Sequence, residues 1–443
     1  MEEKALLISV NLNDGEDYLL SLEELETLAQ ACNMEVVGRI MQTLPSVNNA
    51  FYIGTGKVEE VKEVVEEYNA DVIIFDNSLS PMQLRNLQKR LDKPILDRST
   101  LILDIFARRA RTREAKLQVE VARLQYMLPR LVGLHAALSR QGGGSGSLSN
   151  RGAGETKLEL DRRVLERRLT EVRRELKALG AERMTQRKRR AGSGITRVAL
   201  VGYTNAGKST LMNAMLDLYG RDEVDVEEKK VMEKDMLFAT LDTTVRRIEP
   251  ENHHAFLLSD TVGFIHKLPH NLIEAFHSTL EEAKEADILI QVVDYSDPHY
   301  REQIAVTNRT LKDLGADGIP MIYAYNKTDL VSPDEIPGLA GAELKQLKKF
   351  LPVTMEDSIY LSAREKIGMA ELINLIEKKL SDGYKECVLF IPYTDGRAIS
   401  YLNENAVIYE TEYLEEGVRM RVNCRMQDYH YYQKYLTGSI VDG

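Results

Sequence analysis

The chain has 443 residues, 43% hydrophobic and 29% charged, which is too long for one hydrophobic core and ordinary for a globular protein of several domains. Its three cysteines, Cys32, Cys387 and Cys424, lie far apart with no CxxC or zinc spacing, so the pattern gives neither a disulfide framework nor a zinc site. The net charge of −11 is unevenly spread: residues 101–200 hold 23 Lys/Arg against 10 Asp/Glu, a balance of +13 that leaves −24 on the rest, so an anionic partner is expected at one place. The start, MEEKALLISV, lacks a basic region followed by an apolar stretch, and no run approaches the roughly 18 apolar residues that would span a membrane. A cytoplasmic protein is expected.

Residues 1–100 read as an N-terminal α/β subdomain. ALLISV (5–10), EVVGRI (35–40), FYI (51–53), DVIIFD (71–76) and PIL (94–96) predict strands, and residues 21–32, 56–68 and 80–91 show helical spacing, the pattern of a mostly parallel sheet. Gly54-Thr55-Gly56-Lys57 lacks the spacing of a phosphate loop and reads as a strand-to-helix turn. Residues 101–192 read as a basic helical hairpin arm. Its long helices are expected over 100–140 and 156–190, joined by the Gly/Ser-rich loop 141–156. Residues 193–382 carry five further strands, RVALV, AFLLSD, DILIQVVD, PMIYAYN and SIYLS, between helical stretches. Residues 383–443 form a small C-terminal domain, in which VLFIPY, AVIYETEYL and VRMRV predict a sheet packed with a helix.

The strongest chemical signal is Gly202-Tyr203-Thr204-Asn205-Ala206-Gly207-Lys208-Ser209-Thr210, which follows the strand RVALV and opens a helix. GxxxxGKS in that setting is a phosphate loop: backbone N–H groups and the helix N-terminus wrap a β-phosphate, Lys208 neutralises the β/γ oxygens, and the Ser209 hydroxyl ligates Mg²⁺. Asn326-Lys327-Thr328-Asp329 ends a later strand. A carboxylate there accepts hydrogen bonds from guanine N1–H and its exocyclic amine, which adenine does not offer. Ser362 and Ala363 fit the loop that backs the base. Asp260-Thr261-Val262-Gly263 ends the strand AFLLSD, where Asp260 can hold Mg²⁺ through water and the Gly263 N–H can meet a γ-phosphate. Ahead of it, Phe238-Ala239-Thr240-Leu241-Asp242 supplies Thr240 to complete the Mg²⁺ shell, with Thr243 and Thr244 offering the same chemistry nearby. Lys208, Thr240 and Gly263 are the expected catalytic groups. Phe264 stands where many GTPases have a water-orienting glutamine, so slow hydrolysis and an activating partner are expected. Asn205 offers a carbonyl to K⁺ beside the phosphates.

With GYTNAGKST, FATLD, DTVGFI and NKTD placed, the chain resembles the HflX family of ribosome-associated GTPases. LPHNLIEAFHSTLEEAKEAD after DTVGFI, and RGAGETKLELDRR at 151–163, are similar to that family's sequences, and the resemblance covers the whole chain. It implies an α/β fold in which a P-loop GTPase domain follows an α/β domain with a long helical hairpin arm and precedes a small α/β domain. It also implies binding to the large ribosomal subunit, stimulation by it, and the remodelling or splitting of stalled ribosomes under stress that some members perform; a monomer is expected. The family's loop between the long helices reaches the peptidyl-transferase region, which carries RNA contact onto Arg151, Gly152 and Gly154. The chain departs from the family pattern at Ala153, where RGPGET is expected, and at Thr243 and Val245, where FATLDPTTR is expected. A protein-binding signalling GTPase and a ribosome-assembly GTPase are the alternative readings. The first predicts sustained heptads where these helices carry arginine clusters, and the second shares Asn205.

Overall fold

The structure, a computed structural model, describes residues 2–13, 18–140, 151–192, 195–220, 238, 243–251, 253–268, 277–337, 351–380 and 384–438. The chain divides into two compact units: Met1–Arg183 with Asp235–Asp242 and Ile265–Ser278, and Met184–Lys234 with Thr243–Phe264 and Thr279–Gly443. Among the described residues no helix is long and apolar enough to cross a membrane.

The first unit is built on four parallel strands, β1 (Glu3–Asn11), β2 (Met34–Thr43), β3 (Val72–Phe75) and β4 (Ile95–Asp97), in the order β2-β1-β3-β4. Helices α1 (Tyr18–Ala31), α2 (Thr55–Tyr68) and α3 (Pro81–Leu91) connect them. Continuous apolar runs are what a parallel sheet covered on both faces demands, and Ala5–Ile8 and Val72–Phe75 are buried throughout. Ser80 starts α3 with a capping box to Gln83 and proline at the first turn. FYI is not a strand. Asn48 Oδ1 accepts from the N–H groups of Ala50 and Phe51, and the Asn48–Tyr52 backbone pair closes a turn. Gly54 caps α2 and Lys57 pairs with Glu60 on the same helix, so the segment leads from the Asn48–Tyr52 turn into a helix, where a strand-to-helix turn was expected.

The expected helix over 100–140 is two helices, α4 (Arg98–Arg109) and α5 (Arg113–Arg140). The chain breaks at Ala110-Arg111-Thr112 because the Thr112 hydroxyl accepts from the Ala115 N–H and caps a new helix. The second arm helix, α6 (Arg151–Gly192), begins five residues ahead of its expected start. Arg151, Gly152 and Gly154 therefore open a helix instead of lying in the loop. Glycines are tolerated in a first turn, whose N–H groups have no intrahelical partner to lose. Residues 141–150 lie outside the described residues. The two arm helices run antiparallel: Leu165, Leu169, Val172, Leu176 and Leu179 meet Leu117, Val121, Leu124 and Leu128 in a short heptad-spaced seam. Ion pairs Arg168–Glu120 and Arg113–Glu175 flank it.

The second unit carries a seven-stranded sheet in the order β10-β11-β9-β8-β5-β7-β6. Its parallel centre is β5 (Thr196–Gly202), β7 (Phe256–Asp260), β8 (Ile288–Asp294), β9 (Met321–Asn326) and β11 (Ser358–Tyr360). The edges β6 (Thr244–Ile248) and β10 (Val353–Met355) are antiparallel and were not among the expected strands. Helices α7 (Lys208–Tyr219) and α8 (Met369–Leu380) cover one face of this sheet. A separate antiparallel sheet, β13-β14-β12-β15, is made by β12 (Tyr384–Pro392), β13 (Val407–Leu414), β14 (Gly417–Arg425) and β15 (Leu436–Gly438). Two helices, α9 (Gly396–Asn405) and α10 (Met426–Tyr431), accompany it where one was expected. Within its core the free thiols Cys387 and Cys424 meet at 3.9 Å, a proximity the sequence spacing hides.

His254 joins the two sheets. Its backbone N–H donates to Glu377 of α8 at 2.6 Å, its Nδ1 lies 3.0 Å from the same carboxylate, and its Nε2 donates to the Asn423 carbonyl of β14 at 3.1 Å. Burial pushes the Glu377 carboxyl up, but the hydrogen bonds and charge of His254 outweigh it and hold the group below its ordinary value of 4.5. A carboxyl depressed on folding stabilises the fold above its unfolded pKa, and that contribution fades as pH falls through the folded value. Glu377→Gln is expected to lower unfolding free energy at neutral pH by about 1–3 kcal/mol. The gap between variant and parent should then shrink as pH drops below 4.5. Denaturant titrations across that range measure it, and matching curves at neutral pH would remove the bond's contribution.

Candidate functional site

The site forms where the parallel strands of the seven-stranded sheet end, the usual crevice of an open α/β sheet. β5 runs into Gly202, and the loop ends at Gly207, which sits at φ 93° and starts α7. A Cβ on Gly207 would lie 2.2 Å from the Asn326 amide nitrogen, so only glycine fits. Lys208 opens α7 with its side chain buried. Its Nζ donates to the carbonyls of Tyr203 at 2.7 Å and Gly202 at 3.1 Å. Burial lowers its pKa to about 8 against the opposing pull of Asp260. Asn205 stands exposed at φ 62°, and Thr210 follows in the first turn of the helix.

Three further segments converge on this loop. Ser209 Oγ donates to Asp260 Oδ2 at 2.7 Å, and Asp260 is fully buried at the end of β7. A hydroxyl and a carboxylate are hard oxygen donors, the set that suits Mg²⁺. Thr261 Oγ1 donates to the Leu200 carbonyl at 2.7 Å and pins the turn, with Val262 buried beside it. A Cβ on Gly263 would come within 2.8 Å of Thr204 Cα and 3.0 Å of Lys208 Nζ. Phe264 is 2% exposed; its N–H donates to Gly202 O at 3.1 Å and its carbonyl accepts from Thr204 N at 2.8 Å. The DTVG turn is thus stitched to the phosphate loop by backbone bonds, and the phenyl ring is interior.

The base loop is held in the same way. Asn326 Nδ2 donates to the Ala206 carbonyl at 3.0 Å, while its Oδ1 accepts from Ala363 N at 2.9 Å. One side chain therefore ties the phosphate loop to the loop after β11. Lys327, at φ 63°, pairs with Asp294 at 2.7 Å. Asp294 was missed in the sequence, although an aspartate ending a central strand beside such a loop was a usable signal. Ser362 Oγ donates to Asp329 Oδ1 at 2.6 Å, which presets the carboxylate.

The remaining predicted residues fall elsewhere. Phe238 is buried in the first unit, its ring 4.5 Å from that of Phe106 on α4 in an edge-to-face pair. That side chain, expected among the GTP-binding residues, is spent on a helix of the N-terminal unit. Ala239, Thr240, Leu241 and Asp242 lie outside the described residues.

Comparison with known proteins bears on the whole chain. Family models described as GTP-binding GTPase N-terminal, GTP-binding GTPase Middle Region and 50S ribosome-binding GTPase match residues 20–107, 109–190 and 197–327. GTPase HflX of Caldanaerobacter subterraneus subsp. tengcongensis is 43% identical over 96% of this chain and 92% of its own length. GTPase HflX of Escherichia coli is 36% identical over 96% of this chain and 93% of its own. Among solved structures, a GTP-binding protein from Sulfolobus solfataricus in complex with GDP is 25% identical with a TM-score of 0.40, covering 86% of this chain and 99% of that one. Identity of this extent, carried from the N-terminal sheet through the NKTD loop and beyond, makes the chain a member of the HflX family of GTPases, enzymes that hydrolyse GTP.

Proposed function

We propose that this GTPase works on the large ribosomal subunit: it binds GTP with Mg²⁺, meets ribosomal RNA through its arm, and couples hydrolysis to remodelling or splitting ribosomes under stress. The observation that carries the reading is the outer side of α6, where Arg167, Arg173, Arg174 and Lys177 are exposed and, among the described residues, meet no carboxylate. A file of unpaired cations is what a phosphate backbone selects, whereas a merely solvated helix would balance its charges. The match of residues 197–327 to a model described as a 50S ribosome-binding GTPase points the same way. Residues 141–150 and the helix start at Arg151, Gly152 and Gly154 are the proposed reach into RNA.

At the nucleotide, the loop amides and the α7 N-terminus take the β-phosphate, and Lys208 leaves its carbonyls for the β/γ oxygens. Ser209, Thr240 and, through water, Asp260 would hold Mg²⁺, which when bound neutralises charge on the phosphate oxygens. Gly263 reads the γ-phosphate by its N–H, and Asp329, set by Ser362, reads guanine. The buried Phe264 ring is no means of orienting water, so hydrolysis is slow until the partner, with K⁺ at Asn205, completes the site.

Lys208→Ala should abolish binding of a fluorescent GDP while leaving thermal unfolding in place; hydrolysis at the parent rate would show the site to be elsewhere. Phosphate release in K⁺ buffer should rise many-fold with purified large subunits. The double change Arg167→Glu, Arg174→Glu should spare the basal rate and weaken subunit binding. It should also reduce the slope of the log–log salt dependence by about one for each phosphate that is no longer neutralised. Stimulation indifferent to those charges would move the RNA-binding surface off α6.

A further inference from the structure

Between Phe264 and Lys267 the chain passes from one hydrogen-bonded framework to another. Phe264 is laddered to the phosphate loop through Gly202 and Thr204. Two residues on, the His266 carbonyl accepts from Arg98 Nε at 3.2 Å, and Lys267 Nζ pairs with Asp76 Oδ2 at 2.7 Å. Lys267 stands at φ 53°, a backbone that a lysine keeps only where its surroundings over-determine it. The group that receives it is a closed ionic cluster at the C-terminal edge of the parallel sheet of the first unit. Asp76 Oδ1 takes Arg98 Nη1 at 2.7 Å, Ser21 Oγ donates to Asp76 Oδ2 at 2.7 Å, and Arg98 also bonds Glu24 and the Ser21 carbonyl. Asp76 is fully buried and Arg98 is 2% exposed. Burial raises the Asp76 carboxyl, but the charges of Arg98 and Lys267 and the bonds from Lys267 and Ser21 bring it below the usual range.

The residue before Arg98 faces a different neighbour. Asp97, fully buried, caps α4 by accepting from Thr100 N at 3.0 Å. The same carboxylate takes Arg130 Nη2 at 2.8 Å and the Tyr126 hydroxyl, both from α5, and the Arg130 guanidinium lies 3.3 Å over the Tyr126 ring. Two consecutive side chains therefore hold, on one side, the segment leaving the DTVGF turn and, on the other, the root of the arm.

We propose that Asp97-Arg98 is a joint coupling the nucleotide loop to the helical arm, with Asp76, Arg98 and Lys267 acting as positioning residues for the segment after Gly263. A γ-phosphate that draws in the Gly263 N–H must carry Phe264 with it, and Ile265 alone separates that residue from the clamped His266. A buried ion cluster is kept or broken as a set, so it responds in steps. Coupling of this kind is reciprocal in binding free energy: whatever displaces α5 biases the nucleotide loop by the same factor. The inference rests on the GTP site and is independent of what the arm binds.

Hydrogen exchange of the full chain, loaded with GDP or with a non-hydrolysable GTP analogue and without ribosomes, tests it. The parent should show nucleotide-dependent exchange in α4 and in the first half of α5. Lys267→Met should erase the difference in both helices while GDP affinity holds, kcat falling roughly tenfold with KM little changed. Lys267→Arg should restore it, which a loss of fold stability alone would not predict. Tyr126→Phe should keep the difference in α4 and reduce it in α5. Identical exchange in the two nucleotide states of the parent, or a difference that survives Lys267→Met unchanged, would overturn the joint.

Discussion

A dry ammonium group sets the terms of the nucleotide site. Lys208 is buried with two carbonyl oxygens as its hydrogen-bond partners, and burial lowers its pKa to about 8 against the opposing charge of Asp260. Carbonyl dipoles shelter such a charge only incompletely, so anionic oxygens are the partners this loop favours. The neighbouring geometry follows from that. Gly263 must lack a side chain because Thr204 and Lys208 stand where its Cβ would be, and Gly207 must lack one because the Asn326 amide does. Asn326 then spans from Ala206 to Ala363, so the loop before α7 and the loop after β11 share one hydrogen-bonded frame. Preorganisation of this kind is how a phosphoryl-transfer site stabilises charge without rearranging at the moment of reaction.

The same frame explains why Phe264 is no substitute for a glutamine. Its backbone is committed to Gly202 and Thr204 and its ring to the interior, so it fastens the turn where a glutamine would reach toward water. His266 and Lys267, just beyond it, are fastened elsewhere, to Arg98 and Asp76. The segment from Phe264 to Lys267 thus has its two ends in two frameworks, one built by β5 and the other by the C-terminal edge of β3 and β4.

How far the sequence revealed this depends on how local each feature is. The parallel strands were legible because burial on both faces leaves continuous apolar runs, and the phosphate loop, DTVG turn and NKTD loop were legible because each is a short contiguous segment with its own residue pattern. FYI misled because three apolar residues in a row say nothing of the Asn48 turn that bends them. β6 escaped because an antiparallel edge strand needs to bury only one face, and TVRRI breaks any apolar run with the half-buried Arg246 and the exposed Arg247. The break in the arm turned on one hydroxyl, that of Thr112. The Asp76–Lys267 pair, 191 residues apart in the chain, has no sequence signature at all.

The arm's charges divide by position, and the division says what the arm is for. Those flanking the seam, Arg168 with Glu120 and Arg113 with Glu175, fix the register of two antiparallel helices; exposed pairs of this kind are screened by water and salt, so their worth lies in alignment more than in stability. On the outer side of α6, Arg167, Arg173, Arg174 and Lys177 are exposed and meet no carboxylate among the described residues. At the root the logic reverses: Arg130 and Tyr126 close on a carboxylate with no exposure to water, where breaking one bond leaves a buried charge uncompensated. An arm that is stiff at its root and charged along its length can pass a displacement to Asp97, whereas one hinged loosely there would absorb it. The burial of Asp97, more than the length of the helices, is what makes the arm a lever.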